Sequence, residues 1–290
     1  MKISGFTFIR NAIKFDYPIV EAITSILPIC DEVIVAVGKS DDETRALIER
    51  IDTTGKIKII DTVWDDTLRE GGQVLAVETN KAFDAVSPDS DWAFYIQGDE
   101  AVHEQYLPTI KKTMQTYKDD KNVQGLLFNY THFYGSYDYV GDSRKWYRSE
   151  IRVIKNDKTI RSYRDAQGFR KNGEKLKVRP INASIYHYGW VKPPEFQQAK
   201  QEYFHKLWHE DSWVEKNIPK VNEFDYSQID SLAKFNGSHP ELMQKRINKS
   251  NWKFTFDPTK KRLSLKMKAL YMIEKLTGWR VGEYKNYKKV

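Results

Sequence analysis

The stretch 91–104, DWAFYIQGDEAVHE, runs apolar from Trp92 to Ile96 and then stops on Gly98, Asp99 and Glu100. A short hydrophobic run with such a boundary reads as a buried strand, which delivers the two carboxylates to the edge of a sheet. Adjacent acids repel unless positive charge or hydrogen-bond donors compensate them. Residues 97–100 are therefore the first place to look for chemistry.

Working outward, residues 2–9 read as a first strand. In YPIVEAITSILP, Ile19, Ile23, Ile26 and Leu27 share a helical face, with Pro18 at the first helical position and Pro28 at the end. DEVIVAV (31–37) is a buried strand. Ser40 and Glu43 form a capping-box pattern ahead of a helix whose stripe is Leu47, Ile48 and Ile51. KIKIIDTVW (56–64) is a third strand, a helix falls within Gly72 to Ala85, and WAFYI is the fourth strand. Strands alternating with helices predict an α/β fold with parallel strands joined by right-handed crossovers. Asp99 then lies just past the carboxyl end of a strand, where ligands bind in open α/β sheets. Neither G-x-G-x-x-G nor a Walker A sequence is present, so phosphates must be handled by other means.

From Val123 the texture changes to short aromatic-rich strands, read as a small antiparallel addition: VQGLLFNYTHFYGSYDYV, EIRVIKN, TIRSY and ASIYHYGWV. Tyr130, Phe133, Tyr134 and Tyr137 fit either a core or a platform for an acceptor. After Pro194 a helical stretch places Phe196, Tyr203, Phe204, Leu207 and Trp208 on its buried side. The segment from Lys245 onward is basic. Within it Leu265, Ala269, Met272, Ile273 and Leu276 line one face of an amphipathic helix, for which packing on the core is expected ahead of membrane contact. Residues 1–192 are expected to form the nucleotide-binding and catalytic domain and 193–290 a helical, basic extension.

With 290 residues and 40% hydrophobic content, the chain can bury a sizeable core. Cys30 is the sole cysteine, which excludes an internal disulfide and suits the cytosol. Arg10 interrupts the apolar N-terminus, so no export signal is expected, and no run reaches the length of a spanning helix. The expected location is the cytoplasm, with peripheral contact at the inner face of the membrane through the basic segment. A net charge of +7 suits an acidic partner such as nucleic acid, anionic lipid or a diphosphate.

Paired acids at a sheet edge are explained by a divalent cation, Mn²⁺ or Mg²⁺, shared with substrate phosphates. A helix-capping role for Asp99 or Glu100 is the structural alternative. FTFIRNA, DEVIVAVGKSDDET, ETNKAFDA and DWAFYIQGDE, in this order, resemble the family 2 glycosyltransferases of GT-A fold, and IYHYGW resembles the H-Y-G-Y segment of a bacterial surface-polysaccharide subgroup. The resemblance implies a Rossmann-like, mostly parallel sheet flanked by helices, a nucleotide-sugar donor, a glycan or lipid-linked acceptor, a divalent cation and inversion at the anomeric carbon.

It also implies donor contacts from Phe8, Arg10, Asn11, Asn80, Lys81, Gln97, Gly98 and Arg152. Asp99 would be the principal metal ligand, with Glu100 and His187 beside it. His187 is equally readable as a hydrogen-bonded interior residue. Three departures from the family pattern stand out. Gln97 replaces the first Asp of D-x-D, Val37 and Gly38 replace an acidic pair, leaving Ser40, Asp41 or Asp42 to substitute, and Thr79 stands where Arg is common. The base that accepts the acceptor's proton is expected at Asp165, with Glu150 second. Asp165 beside Arg164 also suits a surface ion pair.

Two other readings compete. A nucleotidyltransferase would carry a glycine-rich loop after the first strand, which FIRNAIKF lacks. A noncatalytic nucleic-acid-binding protein would use the basic tail and give Asp99 no role; no nucleic-acid partner is expected.

Overall fold

The computed structural model describes residues 1–290. The N-terminal half alternates as expected: β1 (Ile3–Ile9), α1 (Ile19–Ile26), β2 (Glu32–Gly38), α2 (Thr44–Ile51), β3 (Ile57–Thr62), α3 (Gln73–Asp84) and β4 (Trp92–Tyr95). These strands lie in the order β3-β2-β1-β4 and all pair parallel. Beyond them come β5 (Glu100–Val102), α4 (Leu107–Thr116), β6 (Gly125–Tyr134), β7 (Ser136–Gly141) and β8 (Ser149–Lys155). Strand β8 joins β4 antiparallel, and β6 joins β8 antiparallel.

A separate three-stranded antiparallel sheet holds β9 (Ile160–Tyr163), β10 (Gly168–Lys171) and β11 (Glu174–Lys175). The long β12 (Lys177–Trp190) returns beside β6 and also pairs with β5, setting His187 opposite Glu100. The architecture is a mixed α/β sheet flanked by helices with a small antiparallel addition, as expected.

Burial explains the elements. Ile19, Ala22, Ile23 and Ile26 of α1 are fully buried against Ile3, Val33, Val35 and Phe94 on one face of the sheet. The other face packs Phe6, Ile34, Ala36 and Tyr95 under α3 and β10, with Phe83 and Phe169 closing on Phe6. Strand β2 is buried along its whole length, as a central parallel strand should be.

Local expectations needed correction in two places, and a third was decided between its two readings. Ser40 does not cap α2: its hydroxyl donates to the Gly38 carbonyl and accepts from Asn11 N–H, while Asp42 accepts from Thr44 N–H at 3.0 Å. The nearer acceptor wins because the helix begins four residues later than Ser40. Pro18 precedes α1 rather than opening it. Phe133, Tyr134 and Tyr137 are core, not platform, for residues further along the chain cover them: Phe235 and His239 meet Phe133, Phe254 meets Tyr134, and Trp252 meets Tyr137.

The last third contains α5 (Pro194–Lys206), α6 (Asp211–Asn217), β13 (Leu232–Lys234), α7 (Gln244–Asn248), α8 (Leu265–Thr277) and β14 (Lys288–Lys289). Both strands return to the main sheet, β13 on β7 and β14 on β12. Helix α8 reverses the expectation for its apolar stripe, because none of its residues is buried and Leu265 and Leu276 stay 85% and 80% exposed. Its other side is the one that docks. Glu274 meets Arg144 at 2.8 Å and Arg280 at 3.4 Å, while the Tyr271 hydroxyl and Lys261 ammonium share Asp142. No helix is long and apolar enough to cross a membrane.

Candidate active site

The two adjacent carboxylates are separated by the sheet. Asp99 lies in a turn that the Glu100 N–H closes on the Gln97 carbonyl at 3.1 Å, and Glu100 opens β5, so the two acids part company there. Glu100 turns inward and is fully buried against Arg152, itself fully buried. The guanidinium makes a forked contact, Nε to Oε2 at 2.9 Å and Nη2 to Oε1 at 2.8 Å, between the rings of Tyr95 and Tyr130. Tyr130 hydroxyl and Gln97 N–H also donate to Glu100, and Arg152 reaches the Gln97 side-chain oxygen at 3.2 Å. Glu100 and Arg152, expected at the metal and the donor, satisfy each other below the surface and do not line the cleft; together they set the 97–99 loop.

Asp99 points the other way, into a cleft of about 330 Å³ at the carboxyl ends of the parallel strands. Its Oδ2 receives Lys200 Nζ at 3.1 Å and lies 3.7 Å from His187 Nε2. Burial works to raise the pKa of Asp99, but Lys200, His187 and Lys192 outweigh it and hold the carboxyl well below its usual range. The group is ionised throughout the physiological range. Lys200 also donates to the Gly189 carbonyl at 2.9 Å, so its ammonium is fixed between strand β12 and the acid.

The histidines are arranged as a relay of hydrogen bonds. His132 Nε2 lies 2.9 Å from the Tyr147 carbonyl, to which only an N–H can donate. Burial, with His187 next, pulls the His132 pKa down to about 3, so the ring is neutral and its Nδ1 is an acceptor. The 3.2 Å approach of the two Nδ1 atoms therefore has His187 donating. That contact anchors the His187 ring with its Nε2 on the side of Asp99, 3.7 Å from Oδ2. Asp99 and His187 are thus two side chains of the kind that ligate a divalent cation, with no third His, Cys, Asp or Glu beside them and with Lys200 already on Asp99 Oδ2.

The pattern IYHYGW makes this possible. His187 and Gly189 share one face of β12, while Tyr188 faces the opposite side and stacks on Phe133. A methyl group on residue 189 would come within 2.5 Å of Asp99 Oδ2 and 2.6 Å of His187 Nε2, so any larger residue would push the pair out of this arrangement.

The remaining expected residues divide. Phe8, Arg10, Gln97, Gly98 and Asp165 line the cleft with Asp99 and His187. Asp165 sits in the β9–β10 turn, between Arg164 and Ala166, both at positive φ, and burial raises its pKa. Glu150 is buried behind the cleft, bonded by Gln167 at 2.8 Å, and burial brings its pKa to about 7. Asn80 is a tether, since its side chain exchanges two hydrogen bonds with the backbone of Ser162. Lys81 is engaged by Glu78 at 2.6 Å. Asn11, at φ 56, binds Asp41 N–H at 2.8 Å, and Asp41 pairs with Lys14 at 3.2 Å. Asn80, Lys81, Asn11 and residues 40–42 lie outside the cleft wall.

Several wall residues went unrecognised in the sequence: Tyr17, Trp64, Tyr147, Trp190, Lys200, Tyr203 and Phe204. Lys200, Gln201, Tyr203, Phe204 and Leu207 come from α5 and the residue after it, so the cleft draws on both sides of residue 192. Arg10 Nε, Trp64 Nε1 and Tyr203 Oη are buried polar atoms with no protein partner, and all three belong to the cleft wall. These three donors face the space that a ligand rich in acceptors would fill.

The sequence matches no family model and no curated protein. Among solved structures, S. aureus TarS is similar at 15% identity and a TM-score of 0.43, over 70% of this chain and 39% of that one. Residues 1–349 of TarS in complex with UDP align at 14% identity and a TM-score of 0.40, over 77% and 68% of the two chains. Glucosyl-3-phosphoglycerate synthase from Mycobacterium tuberculosis, in complex with Mn²⁺, UDP and phosphoglyceric acid, aligns at 16% identity and a TM-score of 0.31, over 45% and 43%. The chain thus spans well under half the length of TarS.

Proposed function

We propose that the chain is a glycosyltransferase that moves a sugar from a nucleoside-diphosphate donor to a glycan or lipid-linked acceptor, with inversion at the anomeric carbon. The observation that carries this reading is the meeting of Asp99, His187 Nε2 and Lys200 at the carboxyl ends of the parallel strands, in a cleft that Asp165 also lines. Asp99 and His187 would hold the divalent cation, whose chemistry is Lewis-acid stabilisation of the departing diphosphate.

The chain's own groups do the rest. The Lys200 ammonium and Arg10 guanidinium bring fixed positive charge to the wall along which the diphosphate lies, and fixed charge in a shielded cleft is worth more than in water. Trp64 and Phe8, packed ring to ring at 5.7 Å, offer an apolar surface for the nucleoside or sugar. Asp165 accepts the proton of the attacking hydroxyl. As that proton leaves, the acceptor oxygen bonds to the anomeric carbon, the carbon–phosphate oxygen bond breaks, and its electron pair departs with the diphosphate. The raised pKa of Asp165 makes it a better base than an exposed carboxylate.

The test is a panel of nucleotide sugars, UDP-glucose among them, with and without Mn²⁺, read by thermal stabilisation and slow donor hydrolysis. Wild type should respond to at least one donor, and Asp99→Ala should abolish the response. If no donor stabilises wild type, or Asp99→Ala responds equally, the reading is wrong.

A further inference from the structure

Helix α8 divides its circumference into three sectors. Met267, Leu270, Tyr271 and Glu274 face the body of the protein, where Glu274 and Tyr271 make the contacts with Arg144, Arg280 and Asp142 described above. Leu265, Ala269, Met272 and Leu276 recur at i, i+4, i+7 and i+11 and form a stripe on the opposite side, with Ile273 at its margin. Leu265, Met272 and Leu276 are 85%, 63% and 80% exposed. By helical angle, Lys268 and Lys275 border the stripe on one side and Lys266 on the other, all exposed. After the left-handed Gly278 that ends the helix, Trp279 is 64% exposed.

The charge of the segment is equally one-sided. Residues 258–290 contain ten Lys and Arg and two Glu, a net of +8, against +7 for the whole chain, so the remaining 257 residues carry a net of −1. Both acids, Glu274 and Glu283, are paired with arginines on the inner side. The outer sector of α8 therefore presents apolar groups and lysines with no acid among them.

We propose that this face docks on an anionic lipid surface. An apolar stripe bordered by lysines whose stems reach upward past it, with a tryptophan at the end, matches the depth profile of a bilayer interface: acyl chains at the centre, anionic headgroups at the flanks. A second copy of this chain is a poorer occupant, because a two-fold contact along the stripe sets lysine against lysine. The helix is held rigidly beside Arg144 and Arg148, which line a cavity that shares Tyr147 and Gln167 with the cleft. Resting on the transferase reading, this geometry brings a lipid-linked acceptor close to the cleft; the docking itself does not depend on that reading.

The experiment is cosedimentation of the full chain with phosphatidylcholine vesicles, with and without phosphatidylglycerol, in the absence of donor. Wild type should partition onto the anionic vesicles and not the neutral ones. Leu265→Asp with Leu276→Asp should abolish binding while the melting temperature stays unchanged, since neither side chain is buried. Converting Lys266, Lys268 and Lys275 to Gln should weaken binding by roughly a hundredfold, about fivefold per lysine. Equal binding of the leucine variant, or no preference of wild type for anionic vesicles, would overturn the proposal. So would a wild-type dimer that the leucine variant converts to monomer without any vesicle binding. Donor hydrolysis, measured separately without vesicles, reports on the transferase reading alone.

Discussion

The acids at 99 and 100 are neighbours in sequence and strangers in space, and each has its own cation. Asp99 is paired with Lys200 within the cleft, Glu100 with Arg152 beneath it. Their substitutions should therefore separate. Lys200→Met is expected to lower kcat for transfer by about a hundredfold, as loss of one fixed electrostatic group does, with a smaller loss of stability because Asp99 keeps His187 beside it and faces the cleft. Arg152→Met should instead destabilise the fold by roughly 3–5 kcal/mol, because it strands a buried carboxylate, and a urea titration will show it. His132 lies behind His187 as seen from Asp99, and its neutral ring anchors His187 through Nδ1. His132→Phe is expected to weaken Mn²⁺ affinity by about 10- to 100-fold, measured by calorimetry, while leaving the fold intact. The motif residues Asp99 and His187 were visible in the sequence. Lys200 was not, since a lysine in a helix resembles any other until the fold brings it to the acid.

At the scale of elements, the site is made by two strand ends and a helix. Strand β12 contributes His187 and the space at Gly189, the turn before β5 contributes Asp99, and α5 lowers Lys200 onto it. Gly189→Ala is expected to abolish Mn²⁺-dependent nucleotide binding without loss of the folded state, because a single methyl group would occupy the place between Asp99 and His187; thermal denaturation with and without Mn²⁺ and UDP distinguishes this from general destabilisation. The alternation of strands and helices was legible from hydrophobic period alone, since buried parallel strands announce themselves as unbroken apolar runs. Two elements were misread for a common reason. The Ser40 cap and the outward stripe of α8 both obey local rules, and in each case a contact from elsewhere in the chain settled the outcome: Asn11 at Ser40, and Arg144 and Arg280 on the polar side of α8.

Taken whole, the molecule is a basic tail fastened to a nearly neutral body, and the cleft lies wholly within the body, drawing on both sides of residue 192. The sequence reading placed the cleft at the carboxyl ends of the strands but drew its wall from residues before 192. The rest comes from α5, whose approach depends on packing between segments far apart in the chain. Stability should carry the signature of Glu150. Its folded pKa of about 7 exceeds the ordinary 4.5 through burial, opposed by Arg152 and Gln167. The folded state thus holds this proton more tightly than the unfolded chain does. The contribution is complete below pH 4.5 and disappears as pH rises through 7, a change on the order of 3 kcal/mol. Subtracting the unfolding free energies of Glu150→Gln from those of wild type removes the opposite trend from His132 and should leave that slope. The central claim, that the acid and imidazole at the end of the sheet hold the diphosphate of an activated sugar through a cation, is tested most directly by titrating UDP into wild type and Asp99→Asn with Mn²⁺ present. Binding by wild type and a loss of roughly ten- to a hundredfold in the variant is the predicted result. Equal affinity in the two proteins would contradict it.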